Sequence, residues 1–192
     1  MKNIYILLSR TNTSFANLVH LVTADAYTHA SISLDRELTK LYSFARKNER
    51  FLLPAGFIKE NIHTGIFKKY EECQCVLYSL KVTNKSYNKV EKILHKMCAN
   101  PDAYSYNVVG VILCKLGIVY EKDNCYFCSE FVSHLLEKSG AIKLPKECCF
   151  MRPVDFYNMP KLKKVYEGKI KYADEINSNI QPSATISNKA LA

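Results

Sequence analysis

The fold is indicated most clearly by the stretch Asn124-Cys125-Tyr126-Phe127-Cys128-Ser129-Glu130-Phe131-Val132. From Cys128 onward, apolar residues recur at the spacing of one helix face, at Phe131, Val132, Leu135 and Leu136. This pattern predicts a helix with Cys128 in its first turn. The unpaired backbone N–H groups and the positive end of the helix dipole at that position lower the pKa of a thiol and can hold an oxyanion. Cys128 is therefore predicted to be a nucleophile, with a small buried core residue as the alternative.

The second informative stretch is Tyr27-Thr28-His29-Ala30-Ser31-Ile32-Ser33-Leu34, which alternates between polar and apolar residues. The alternation predicts a strand with His29 on its polar face. We expect the helix that begins at Cys128 to pack across that polar face, so that the imidazole can take the thiol proton and later return it to a leaving group. A solvated surface histidine is the alternative. The other four histidines are weaker candidates: His20, His63, His95 and His134.

Four stretches of this chain resemble one family of enzymes: 28–35, 41–47, 55–60 and 127–132. They are similar to the circularly permuted, papain-like cysteine hydrolases of the NlpC superfamily, in its YiiX-type branch, and more distantly to lecithin retinol acyltransferase. The resemblance covers most of residues 1–172. It implies a permuted papain-like fold, with His29 as the general base and Cys128 as the nucleophile. It also implies peptide or cell-wall amides as candidate substrates, and lipid acyl transfer as an alternative reaction.

The resemblance further implies a polar residue that orients the imidazole, on the strand that follows the strand of His29. That strand is Leu41-Tyr42-Ser43-Phe44-Ala45-Arg46, which contains no glutamate, asparagine or histidine. Ser43 is its best polar candidate. Arg46 or a backbone carbonyl is an alternative, because the register of a hairpin is not fixed by its sequence. Tyr106 or Tyr104 is expected to supply a hydroxyl near the oxyanion, with aromatic packing as the alternative role.

Composition agrees with a single folded domain and limits the partners. The chain has 192 residues, 48% of them hydrophobic, and 27 basic against 18 acidic residues give a net charge of +9. This excess favours a weak attraction to anionic surfaces. The lysines are spread along the chain rather than clustered, so nucleic-acid binding is not expected.

The eight cysteines suggest a rival interpretation. Cys125 and Cys128 form a C-x-x-C pair, which elsewhere is half of a zinc site or a redox pair. The second half would have to come from Cys73 and Cys75 or from Cys148 and Cys149, at spacings that fit zinc sites poorly. We therefore predict no metal and no cofactor. A reversible disulfide between Cys125 and Cys128 is a milder alternative.

Periodicity predicts strands near residues 3–9, 27–34, 41–46 and 75–82, and helices near 14–23, 86–98, 104–116 and 128–139. This order indicates an α+β fold, an antiparallel sheet with its helices packed on one side. Residues 47–74 are expected to be a long irregular loop that lines the substrate cleft. Residues 1–172 are predicted to form the domain, and 173–192 a disordered tail. The apolar run at the start is too short for a signal peptide or a membrane span, so a cytoplasmic location is expected.

Taken together, these patterns predict a cysteine hydrolase that cleaves an amide, ester or thioester through a covalent acyl-enzyme on Cys128, with His29 as base and then acid. An acyltransferase of the same fold is one alternative. A binding module that has lost activity is the other, since the expected orienting residue is missing from the strand after that of His29.

Overall fold

One mixed sheet of eight strands organises the protein. The computed structural model describes residues 1–11, 25–48, 53–157 and 159–175. The strands are β1 (Lys2–Arg10), β2 (His29–Ser33), β3 (Leu41–Arg46), β4 (Ala55–Glu60), β5 (Gln74–Val82), β6 (Ser105–Tyr106), β7 (Cys125–Tyr126) and β8 (Lys163–Lys169). Their order across the sheet is β7-β6-β4-β3-β2-β1-β5-β8. Every neighbouring pair is antiparallel except β6 and β7, which are parallel.

Within the described residues, five helices accompany the sheet: α1 (Gly65–Lys69), α2 (Asn84–Ala99), α3 (Val108–Lys115), α4 (Cys128–Lys138) and α5 (Pro153–Tyr157). Strands and helices are therefore largely separate along the chain, and the predicted α+β class is confirmed. None of the described helices is long and apolar enough to cross a membrane.

The period-two pattern of the strands gives the sheet two apolar faces. On the first face, Ile4, Ile6 and Leu8 of β1 contribute to the main core together with Ala30 and Ile32 of β2. This core also contains the apolar sides of α2 and α4. The second face carries a smaller core, which includes Leu7, Leu41, Phe67 and Ile170. The prediction that the helices lie on one side therefore holds for α2 and α4, whereas α1 and a short 3-10 helix at Ile170–Tyr172 cover the second face.

The expectation of an irregular loop over residues 47–74 was wrong, because β4 and α1 lie within it. Two features conceal the strand: Pro54 precedes it, and Gly56, Lys59 and Glu60 belong to residue types with low strand propensity. Gly56 is required by close packing, since a Cβ atom at this position would lie 2.3 Å from the carbonyl oxygen of Tyr104. The absence of a side chain lets β6 approach β4.

Three other sequence predictions concern element ends. The helix expected over 104–116 begins at Val108, after β6, and the side chain of Asn107 accepts a hydrogen bond from the N–H of Gly110. The folded part extends beyond residue 172, because Ala173 is buried and its carbonyl accepts a 2.9 Å hydrogen bond from Arg36. The predicted helix at 14–23 lies entirely outside the described residues, and residues 176–192 of the predicted tail lie outside them too.

Candidate active site

His29 is the first residue of β2 and lies where that strand separates from β3. It pairs with Ser9 of β1, whereas β2 meets β3 further along the chain, through Ile32 and Ser33. The N-terminus of α4 reaches the same place, since the sulfur of Cys128 lies 3.9 Å from the carbonyl oxygen of Thr28. The start of β2 is therefore the point where the strand histidine and the helix cysteine meet.

Cys128 is the first residue of α4 and is almost fully buried, with 5% of its surface exposed. Burial raises the pKa of its thiol, but the nearby imidazole of His29 and the backbone N–H groups of Ala30 and Ser129 lower this pKa by more. The carboxylate of Glu130 accepts a 3.1 Å hydrogen bond from the N–H of Phe127, the residue that caps the helix. The local structure of the first turn thus fixes the position of the sulfur.

The packing of α4 differs from the sequence prediction. The helix was expected on the polar face of β2, but Phe131 and Val132 pack in the main core with Ala30 and Ile32, on the apolar face. The physical reason is that α4 carries a continuous apolar stripe, which gains free energy only against other apolar residues. Cys128 still reaches His29 because both residues lie at the ends of their elements.

A third residue completes the arrangement, and sequence reasoning missed it. Oε2 of Glu60, at the end of β4, lies 3.3 Å from Nε2 of His29. The same oxygen accepts hydrogen bonds from the hydroxyls of Ser31, at 3.1 Å, and Ser43, at 2.5 Å. The structure therefore places Ser43 against Glu60, and Glu60 against the imidazole. Arg46, the alternative to Ser43, lines the cleft beside His29.

One signal for Glu60 was present in the sequence. Residues 55–60 belong to the stretches that carry the family resemblance, and a strand there would place Ile58 and Glu60 on one face. The register pairs Leu41 of β3 with both Ser33 of β2 and Glu60 of β4, so this face of β4 continues the polar face of β2. The carboxylate that contacts His29 therefore stands on β4, one strand beyond the strand on which the resemblance predicts the orienting residue.

The electrostatics favour a charged cysteine–histidine pair. Burial alone would lower the pKa of His29, but the carboxylate of Glu60 and the hydrogen bond to Cys128 raise that pKa to about 10. Burial alone would raise the pKa of Cys128, but the hydrogen bond and charge of His29 and the nearby N–H groups lower it below its ordinary value. For Glu60, burial is also outweighed, and its pKa is lowered by His29 and the two serine hydroxyls. The arrangement stabilises a thiolate beside an imidazolium.

Tyr106 lies beside Cys128 in the crevice and also lines the cleft next to His29. The thiol and the backbone N–H of Cys128 both influence the pKa of the Tyr106 hydroxyl, so this hydroxyl lies near both groups. Burial and the neighbouring thiolate raise the pKa of Tyr106 well above its ordinary value, so it stays a neutral donor. Tyr104, the other candidate, packs on Phe57 instead, with ring centroids 6.2 Å apart. Tyr106 and the N–H of Cys128 thus form a candidate oxyanion site.

A buried polar bridge connects Tyr106 to the cysteine helix. Asn107, which follows Tyr106, points its Nδ2 at Oε2 of Glu130 at 3.4 Å, and its own N–H donates to the carbonyl of Tyr126 at 3.0 Å. Burial raises the pKa of Glu130 to about 7. Because Glu130 also holds the start of α4, this bridge fixes the hydroxyl of Tyr106 relative to Cys128.

Two depressions of different character meet at the site. The larger has a volume of about 480 Å³ and lies beside His29 and Glu60, with walls that contain both polar side chains, such as Asn48 and Asn61, and apolar ones, such as Ile58 and Phe67. The smaller is a crevice of about 20 Å³ beside Cys128, lined by α3 and by Phe127. Thr28 and Tyr106 line both depressions. The reacting groups therefore lie between a cleft of mixed polarity and a mainly apolar crevice.

The cysteines other than Cys128 have different surroundings. Cys125 is buried on β7, and all eight cysteines are free thiols. Burial raises the pKa of several of them, including Cys73 and Cys148. Within the described residues, no three histidine, cysteine or acidic side chains come together in a way that would hold a metal ion. Cys128 is the cysteine with a lowered pKa among those for which a change is resolved.

The comparisons with known proteins add no family assignment. No protein-family model matches this chain, and no curated protein matches it in sequence closely enough to be counted as a relative.

Proposed function

We propose that this protein is a cysteine hydrolase with a permuted papain-like fold, which cleaves an amide or ester through an acyl-enzyme on Cys128. The observation that carries this proposal is the buried chain of contacts from Cys128 to His29 to Glu60. A thiol paired with an imidazole, which is itself held by a carboxylate, is the usual arrangement of an activated cysteine nucleophile. The histidine precedes the cysteine in sequence, in agreement with the permuted order that the family resemblance implies.

The first half of the reaction follows from these positions. The thiolate of Cys128 attacks the carbonyl carbon and forms a carbon–sulfur bond, while the carbonyl π electrons move to the oxygen. The N–H of Cys128 and the hydroxyl of Tyr106 donate hydrogen bonds to that oxyanion. The oxyanion then collapses, the bond to the leaving nitrogen or oxygen breaks, and the imidazolium of His29 gives its proton to the leaving group.

The second half regenerates the enzyme. The neutral imidazole of His29 takes a proton from a water molecule, and the resulting hydroxide attacks the thioester carbonyl. Collapse of this second oxyanion breaks the carbon–sulfur bond and releases a carboxylic acid. The leaving thiolate is again paired with the imidazolium, and Glu60 keeps the ring oriented throughout.

The presence of Glu60 bears on the alternative of an inactive binding module. The inactive module was an alternative because β3, the strand that follows His29 in sequence, carries no acidic residue. Glu60 supplies a carboxylate from the next strand, and its contacts with Ser31 and Ser43 hold it in place. Peptide and cell-wall amides are the substrates that the family resemblance favours for the enzyme.

Acyl-enzyme trapping tests this proposal. Activated p-nitrophenyl esters and peptide p-nitroanilides should release nitrophenol or nitroaniline, and intact-protein mass spectrometry should show one acyl group on Cys128. Cys128→Ala should abolish both signals, and His29→Ala should slow acylation by about two to four orders of magnitude. Cys98→Ala, at an exposed cysteine, is the matched control and should behave like the wild type. Equal acyl loading of the wild type and Cys128→Ala would overturn the proposal.

A further inference from the structure

Glu130, the third residue of α4, is a buried acid that takes no part in the proposed proton transfers. Only 3% of its surface is exposed, and its Oε2 accepts hydrogen bonds from two neutral groups, the N–H of Phe127 and the side-chain amide of Asn107. An ionised carboxyl among neutral partners is costly, because the buried charge has lost its hydration. A glutamine would form the same two contacts at a lower cost, so the ionisable group at this position needs an explanation.

Glu130 connects the two halves of the candidate oxyanion site. Through Phe127 it holds the residue that precedes Cys128, and thus the first turn of α4, whose N–H is one donor of that site. Through Asn107 it holds the residue that follows Tyr106, whose hydroxyl is the other donor. A change at Glu130 therefore alters the position of one donor relative to the other.

The strength of this connection depends on the charge of Glu130. Burial raises the pKa of Glu130 to about 7, and the carboxylate of Glu121 contributes to this rise. A charged acceptor forms hydrogen bonds roughly twice as strong as those of a neutral one. The contact with Asn107 is already long, at 3.4 Å, so we expect it to weaken first when Glu130 gains a proton.

The phenols and thiols around Glu130 keep their protons near neutral pH. They stand on four neighbouring elements: Tyr106 on β6, Cys114 on α3, Tyr126 on β7, and Cys148 and Cys149 in a short 3-10 helix at Cys148–Phe150. Burial raises the pKa of each of these groups, so all of them remain neutral. His134, one turn further along α4, has a pKa lowered by burial and is neutral as well. A change of charge in this bridge near pH 7 therefore belongs to Glu130.

From these contacts we propose that Glu130 is a positioning residue of the reaction, which in its ionised form holds the hydroxyl of Tyr106 and the N–H of Cys128 where the oxyanion needs them. Gain of a proton at Glu130 weakens the contact with Asn107 and loosens the oxyanion site, while the thiolate of Cys128 is retained. This inference rests on the proposed function and adds a group that controls the reaction without touching the substrate. The competing role is that of a helix cap alone.

The ratio of two rate constants measures the oxyanion site separately from the thiolate. Single-turnover acylation by p-nitrophenyl acetate requires both, whereas iodoacetamide labelling of Cys128 forms no oxyanion and requires the thiolate alone. In the wild type, the acylation-to-labelling ratio should rise about fivefold to tenfold between about pH 5.5 and about pH 8.5. The midpoint of this rise should lie near pH 7, where Glu130 loses its proton.

Replacement by glutamine separates the charge of Glu130 from its shape. Glu130→Gln keeps an oxygen for the N–H of Phe127 but does not ionise, so its ratio should be independent of pH and within about twofold of the low-pH value of the wild type. Glu137→Gln, at an exposed glutamate of the same helix, is the matched control and should keep the wild-type step. A helix cap alone predicts the same pH dependence of the ratio in Glu130→Gln and the wild type.

A second variant exchanges the two groups of the bridge. Asn107→Asp keeps the side-chain oxygen that accepts a hydrogen bond from the N–H of Gly110, but it places a second carboxylate against Glu130. Its ratio should fall about tenfold at alkaline pH. The double variant Asn107→Asp/Glu130→Gln again places an amide opposite a carboxylate and should return the ratio to within about threefold of the wild type. No recovery, in a double variant that unfolds at the wild-type midpoint, would contradict the inference.

A measurement without substrate tests the connection itself. In protein isotopically labelled at the carboxyl carbon of glutamate and at Cζ of tyrosine, Glu130→Gln and Tyr106→Phe identify the two resonances by their loss. The carboxyl of Glu130 should titrate near pH 7, and the resonance of Tyr106 should shift with the same midpoint. In Glu130→Gln the resonance of Tyr106 should show no such step.

The outcomes separate this inference from the proposed function. If Cys128 is acylated but the ratio is independent of pH in the wild type, or keeps its step in Glu130→Gln, the inference is overturned and the hydrolase remains. A resonance of Tyr106 that follows Glu130, in a protein that no ester acylates, would support the inferred connection and contradict the hydrolase. A resonance of Tyr106 that does not respond to Glu130 would overturn the inference whatever the acylation rates.

Discussion

Replacement of Glu60 by glutamine should remove most of the thiolate at Cys128 without changing the shape of the site. Glutamine keeps the volume of the side chain and an oxygen for the hydroxyl of Ser43, but it removes the negative charge 3.3 Å from His29. An opposite charge at this distance changes a pKa by about one to three units. Without it, the pKa of His29 falls from about 10 toward its ordinary value, because burial still lowers it while the thiol of Cys128 still raises it.

The consequence for Cys128 can be measured as a rate. When the imidazole is neutral, the thiolate loses the charge that lowers its pKa, while its burial remains. The thiolate then appears only at higher pH. Iodoacetamide labelling of Cys128 in mildly acidic buffer, mapped by mass spectrometry, should therefore slow by about ten to a thousandfold in Glu60→Gln.

The control for this experiment is another paired glutamate. Glu72 is exposed and forms ion pairs with Lys169 and Lys171, so Glu72→Gln removes a charge far from the thiol. It should label at the wild-type rate at every pH. If Glu60→Gln and the wild type show identical pH profiles of labelling, the carboxylate of Glu60 does not influence Cys128 and His29, and the prediction is wrong.

Two further variants test the oxyanion site at Tyr106 and the packing of α3 at Gly110. Tyr106→Phe removes the hydroxyl beside the N–H of Cys128 and should lower the acylation rate constant by about a hundred to a thousandfold. The rate of iodoacetamide labelling should stay within a few fold of the wild type. An equal loss in both assays would argue against an oxyanion role. Gly110→Ala would place a Cβ 2.2 Å from Nδ2 of Asn107, so we expect the free energy of unfolding in urea to fall by about 1–3 kcal/mol. Val109→Ala, on the exposed side of α3, is the control and should change this free energy by less than about 0.5 kcal/mol. Equal unfolding midpoints for the two variants would contradict the packing argument.

The two residues with strong local signals were found from sequence. Cys128 begins an amphipathic helix, and His29 stands in a strictly alternating strand, so periodicity alone places each on an element. Neither pattern predicts the distance between Cys128 and His29. That distance depends on where α4 crosses the sheet, and the large apolar side chains Phe131 and Val132 determine this crossing by packing on the apolar face.

Glu60 could not be found by the same reasoning. It stands at the end of a strand of weak propensity, and it reaches His29 only because β4 lies beside β3 in the sheet. Contacts of this kind are set by sheet order, which local sequence patterns do not specify. The sequence favours Ser43 as the best polar candidate on the adjacent strand, and the structure places its hydroxyl against the carboxylate of Glu60.

The burial of α3 could not be predicted from its sequence pattern. The apolar run from Val108 to Leu116 is typical of a buried helix, yet Gly110 is its one buried residue. Burial depends on what the rest of the chain places over a helix, and within the described residues nothing covers the outer side of α3.

The pairing of Cys128 with His29 is tested most directly by an ultraviolet titration of the thiolate at Cys128. The difference in absorbance between the wild type and Cys128→Ala isolates this one thiol from the other seven. If Cys128 and His29 form a reactive pair, the thiolate should persist below the ordinary pKa of a cysteine, about 8.5, and His29→Ala should move its appearance to higher pH. A thiol that titrates at or above that ordinary value, unchanged in His29→Ala, would contradict the claim that Cys128 and His29 form a reactive pair.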